Sequence, residues 1–138
     1  MESGIKRKSM KREILFRGKR KDNGEWAYGS LSVEYEGTIH ISYWVSTLVE
    51  ADTNSWEPIH HVHEVDPETV GQYTNLNDKN GTKIFEGDML KDKDGIEYEV
   101  IWFGTRFEKR DSMQSTDLHS SSGYLELEVI GNIYQPKI

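Results

Sequence analysis

Three features of the sequence predict an all-β fold. Apolar residues recur with a period of two rather than 3.6, turn signals separate the runs, and only one segment reads as a helical turn. About eight to ten short strands in such an arrangement form a compact sandwich or barrel.

The first element covers residues 12–17, where Ile14 and Phe16 share a face. Asp22-Asn23-Gly24 turns the chain. Trp26 and Tyr28 share the next face, followed after Gly29 by Leu31, Val33 and Tyr35. Glu36-Gly37 turns again, and Ile39, Ile41, Tyr43 and Val45 alternate with Thr38, His40 and Ser42, so the two runs predict a hairpin. Residues 50–58 read as a polar loop and 59–65 as a further strand. In Asp66-Pro67-Glu68-Thr69-Val70, Asp66 can cap a helical turn, Pro67 suits its first position, Glu68 complements its positive end, and Gly71 stops it.

Residues 72–76 and 82–85 are extended on either side of Asn77-Asp78-Lys79-Asn80-Gly81, whose Asn-Gly pair suits positive φ. Glu86-Gly87-Asp88 bends into Met89-Leu90, and Asp92-Lys93-Asp94-Gly95 turns once more. Ile96, Tyr98, Val100 and Trp102 make a strong alternating strand, with residues 106–110 after the Gly104-Thr105 turn. Residues 111–123 are polar and Ser-rich, a mobile loop by composition. Leu125, Leu127 and Val129 form a last strand that extends through Asn132-Ile133-Tyr134.

With 138 residues and no cysteine, the chain is long enough to bury a core without staples, and disulfides and thiolate chemistry are excluded. No apolar segment follows the basic N-terminus, and the most apolar stretch, 43–49, is too short to span a bilayer. A cytoplasmic protein without membrane contact is expected. The net charge of −7 is uneven. Residues 1–21 hold nine Lys/Arg and two Glu, about +7, and the remainder is about −14. An acidic body disfavours nucleic acid, leaving the basic arm as the one segment suited to phosphates. Residues 1–9 read as a disordered basic extension, and a start at Met10 fits the strand-like run that follows it. A single domain over 10–138 is expected, with lobes at 10–64 and 65–138.

The residues that could carry chemistry have plain alternatives. His61 and His63 point one way along a strand and His60 and Glu64 the other. Zinc needs more than two ligands, and only His40 or Asp66 stands ready to supply a third. Exposed edge histidines are the simpler reading, so no metal and no cofactor is expected. Asp78-Lys79-Asn80-Gly81 resembles part of a calcium loop, but Leu76 and Gly87 fall at the first and last ligand positions. Most carboxylate pairs, Asp92/Asp94, Glu97/Glu99 and Glu126/Glu128, decorate a strand's solvent face. Glu86 and Asp88, inside a turn motif, are the exceptions and are interaction candidates. Asp117, His119 and Ser120 to Ser122 have the residue types of a hydrolase triad but crowd one loop, without a nucleophile turn. Among the aromatics, Trp26, Tyr28, Tyr43, Tyr98 and Trp102 fall on apolar faces and are expected in the core, as are Trp44 and Phe103 in a second lobe. Trp56, in a polar loop, is the best surface anchor, and Trp44 is the second interaction candidate.

Several motifs occur together. Val65-Asp66-Pro67-Glu68-Thr69-Val70-Gly71-Gln72-Tyr73-Thr74 leads through Asp78-Lys79-Asn80-Gly81 to Ile84-Phe85-Glu86-Gly87-Asp88, and Glu128-Val129-Ile130-Gly131-Asn132-Ile133-Tyr134 follows near the end. Residues 12–17 and Trp26-Ala27-Tyr28-Gly29 precede them. In order and spacing, over roughly residues 10–136, these resemble the YopX family of phage and prophage proteins. The resemblance implies a β-rich fold and a bacterial host, and it brings no known activity or site residue. Asn75 departs from it, standing where Gly is expected after Gln-Tyr-Thr. Gly87-Asp88, a short strand, a Gly hairpin and a long strand resemble small SH3-like barrels, so an SH3-like C-terminal half is expected. The reading is a non-enzymatic module that binds a host or phage protein. Nucleic-acid binding through the basic arm and a β-surface is the alternative, a small enzyme is third, and self-association stays open.

Overall fold

The computed structural model describes residues 12–50, 55–119 and 126–135. The basic extension at 1–9, Met10, Leu125 and the serines at 120–122 lie outside the described residues. Two antiparallel sheets account for the fold, as expected of an all-β sandwich, and neither closes into a barrel.

The first sheet holds β1 (Phe16–Lys19), β2 (Trp26–Val33), β3 (Ile39–Glu50), β4 (Ser55–Val65), β5 (Gly71–Asn77) and β6 (Lys83–Phe85), in the order β4-β3-β2-β1-β5-β6. The second holds β7 (Asp88–Lys91), β8 (Glu97–Phe103), β9 (Arg106–Arg110), β10 (Ser115–Asp117) and β11 (Glu128–Asn132), in the order β10-β9-β8-β7-β11. The C-terminal half is thus an open meander whose last strand returns beside its first. Among the described residues no helix is long and apolar enough to cross a membrane.

The turns form where the residue types place them. Asp66 caps a 3-10 turn over Pro67–Thr69, accepting the Glu68 N–H at 3.1 Å, with Pro67 at its start. Val70 caps the end of the turn, and Gly71 opens β5. Asp78 accepts the N–H groups of Asn80 and Thr82 on one oxygen and that of Val129 on the other, at 2.8–2.9 Å. The loop that resembles a calcium site is therefore a tight turn whose carboxylate also anchors β11.

Two apolar clusters form. Ala27, Ile41 and Val65 are the buried centre of the first, and Ile84, Leu90, Tyr98, Val100, Phe107, Leu118 and Leu127 of the second. Val65 and Val70 belong to the first cluster, and β5 and β6 hydrogen-bond in the first sheet while Leu76 and Ile84 pack in the second cluster. This overlap joins the halves.

Three expectations are corrected. Residues 50–58 are mostly not loop: β3 runs to Glu50 and β4 starts at Ser55, because each strand satisfies the other's backbone, whatever the polarity of its side chains. The Ser-rich stretch contains β10, paired with β9 from Ser115↔Arg110 to Asp117↔Glu108. Tyr28 and Trp102 are 45 % and 50 % exposed, and Trp44 and Phe103 are each 66 % exposed, so none of the four is core. Trp102 continues the face of buried Tyr98 and Val100 but is half exposed near the strand's end, with Phe107 against one edge of its ring.

Candidate functional site

Two places concentrate the residues singled out by sequence. One is a buried junction between the sheets; the other is an exposed two-stranded arm.

The junction is built on Arg17 in β1. Its neighbour in β5 is Gly71, where a Cβ would stand 2.5 Å from the Glu86 carbonyl oxygen, so only glycine lets the Glu86-Gly87 bend come this close. Arg17 Nη2 lies 2.7 Å from Asp88 Oδ1 and donates to the Glu86 carbonyl at 3.3 Å. Its guanidinium sits over Trp26 at 4.8 Å and over Phe85 at 4.9 Å. Asp88 Oδ2 accepts the Phe85 N–H at 2.8 Å. The ion pair therefore spans from β1 to β7 and ties the sheets together. Gly87 has φ 90°, and a Cβ there would meet Tyr134 Cε2 at 3.0 Å. Tyr134 in turn packs 6.0 Å from the Trp26 ring.

Burial controls the electrostatics of this region. It pushes the Asp88 carboxyl above its ordinary value, against the opposing pull of Arg17 and the Phe85 amide. It also pushes Glu86 up, against a Gln72 backbone hydrogen bond and the charge of Arg17. A cavity of about 400 Å³ opens beside the pair, with Leu15, Tyr28, Phe85, Val129 and Asn132 in its walls. Asp88 is only 2 % exposed and fully engaged. It is a clamp, not the surface contact its place in a turn motif suggested. Glu86 is half-buried beside it. Arg17, which the alternation leaves unremarked beside Phe16, is the residue sequence reasoning missed.

The arm is the outer part of the β3–β4 hairpin. β2 pairs with β3 only over Ile39–Ser42, while β4 pairs with β3 from Ile39↔Val65 out to Glu50↔Ser55. Beyond Ser42 the hairpin is a two-stranded ribbon. Ribbons of this kind are marginal unless cross-strand side chains hold them. Here Trp44 stacks on His60 at 4.3 Å and 13°, and Tyr43 stacks on His61 at 5.1 Å and 16°.

Alternation and register place Trp44, Trp56, Pro58, His60 and Val62 on one face. Trp44, Trp56 and Val62 are 66 %, 62 % and 50 % exposed. Both tryptophan candidates therefore share one exposed surface, with Trp56 on a strand instead of in a loop. Pro58 lies on the edge strand, where a missing N–H discourages strand addition.

His61 and His63 occupy the other face, and Tyr43 Oη lies 3.1 Å from His63 Nε2. Burial and the nearby Arg20 push the His63 imidazole down. His40 lies opposite Glu64, on the face shared with Trp44, and Asp66 caps its turn, so neither reaches the pair as a third ligand. Among the described residues no group of three His, Asp or Glu could hold a metal.

These features define the class: an all-β protein of two open antiparallel sheets, clamped by a buried Arg–Asp pair and carrying a projecting aromatic hairpin. The chain belongs to the YopX family, whose family model (YopX protein) matches residues 15–137. The match takes in both the junction and the arm. No curated protein matches the chain.

Proposed function

We propose that this YopX chain is a non-enzymatic binding module that engages a host or phage protein through the β3–β4 arm. One observation carries the reading: Trp44, Trp56 and Val62 stand exposed on a single face of a ribbon with which, among the described residues, no third strand pairs beyond Ser42. Exposed aromatics grouped on one surface are the usual anchors of a protein interface. Pro58 favours contact through this side-chain face over strand addition at the edge. Asp88, one of the two carboxylates singled out by the turn motif, holds Arg17.

The test compares tagged wild-type protein with the Trp44→Ser/Trp56→Ser double variant in a pull-down from a bacterial host. Retention of one stoichiometric protein by the wild type, and its loss with the double variant, is expected. Equal capture by both, or recovery of bait alone, would remove the arm from the function.

A further inference from the structure

A second cleft, of about 270 Å³, is lined by Arg12, Asn75, Trp102, Arg106, Phe107 and His119. It shares no residue with the arm or the junction. Its walls are aromatic: Trp102 meets Phe107 edge-on at 4.8 Å, and Phe107 lies 6.3 Å from the His119 ring. His119 is fixed by a 2.9 Å contact from Nε2 to the Thr74 carbonyl. Trp102 keeps half its surface open to solvent.

Asn75 shapes one side. Its φ of 67° is a left-handed conformation that glycine adopts freely and other residues rarely do, which explains why Gly is expected there. The asparagine offsets this strain by gripping the Glu13 backbone, accepting its N–H at 2.9 Å and donating to its carbonyl at 3.0 Å. The grip sets Arg12 beside the cleft. Arg106 is steadied by Asp117 at 3.5 Å and Glu108 at 3.6 Å. Arg12 makes no ion pair among the described residues.

We propose that this cleft takes a base of single-stranded nucleic acid, stacked on Trp102, with the adjoining phosphates against Arg12 and Arg106. Stacking on an exposed indole needs an unpaired base, because a duplex hides base faces. Charge is unevenly distributed along the sequence. Residues 1–12 hold five Lys/Arg against one Glu, whereas residues 13–138 hold twelve against twenty-three Asp/Glu. The acidic remainder opposes duplex wrapping.

The experiment is fluorescence anisotropy of a labelled short oligo-dT with the full chain at low salt, circular dichroism confirming that each variant is folded. Trp102→Ala is expected to weaken binding about tenfold or more, and Trp102→Phe to retain most of it. Arg12→Ala is expected to flatten the salt dependence by about one ion. Thymidine monophosphate should compete only at far higher concentration. Absence of binding at low salt, or unchanged binding by folded Trp102→Ala, overturns the proposal. Competition by the mononucleotide at equal concentration overturns the polymer and assigns the cleft to a free nucleotide.

Discussion

The sheet junction and the hairpin arm contain the same kinds of residue and treat them oppositely. At the junction, Arg17 and Asp88 are buried, their charges meet at 2.7 Å, and aromatic rings close over the guanidinium. On the arm, Trp44 and Trp56 spend their aromatic surface on solvent. Covering layers make the difference. Arg17 is enclosed from both sheets, while the arm has advanced past the end of β2's pairing. Aromatic surface thus stabilises the fold in one place and stands exposed in the other.

Removing one partner at the junction should have the largest effect. Asp88→Ala leaves an uncompensated buried guanidinium and is expected to cost about 3–5 kcal/mol in urea unfolding at neutral pH, a large part of a domain's stability. A loss below about 1 kcal/mol would mean that the pair is dispensable. Gly87→Ala comes next. It combines a positive φ with the Tyr134 ring at 3.0 Å, and about 1–3 kcal/mol is expected. Gly81→Ala is its control, because Gly81 has φ 81° but nothing within 4 Å of a Cβ, and should cost only about 1 kcal/mol. Equal losses would show that the Tyr134 contact yields easily.

A smaller effect separates the regions by pH. Burial raises the Glu86 pKa above its ordinary 4.5, so the folded state holds this proton more tightly than the unfolded chain does. Stability therefore falls as pH rises from about the ordinary value through the raised one, and the penalty is complete above it. Glu86→Gln should match the wild type in acid and exceed it near neutrality, by at most about 1 kcal/mol, in thermal melts from pH 4 to 7. A constant difference across that range would assign the effect to packing. The Trp44→Ser/Trp56→Ser variant should cost at most about 1 kcal/mol, the worth of the cross-strand Trp44–His60 stack, while losing its partner. Marked unfolding of this variant would place the arm's aromatics in the fold instead of at an interface.

Local chemistry was legible in the sequence wherever it is decided by near neighbours. The all-β class, the Asp66 cap, the Asn80-Gly81 turn and the motifs of the YopX family all rest on residues a few positions apart, whose φ preferences and hydrogen bonds act at short range. Even Asn75 carried a signal, since a position that favours glycine is one of positive φ. Alternation likewise told which side chains share a face. It could not tell whether that face is covered, because cover comes from strands distant in sequence. Arg17 meets Asp88 across 71 positions, β2 stops pairing at Ser42 while β4 continues, and Trp102 is half exposed on the same face as buried Tyr98. The period of two follows from backbone geometry, and the sequence alone determined it; burial follows from which layers meet and where each one ends, and only the tertiary structure decided that.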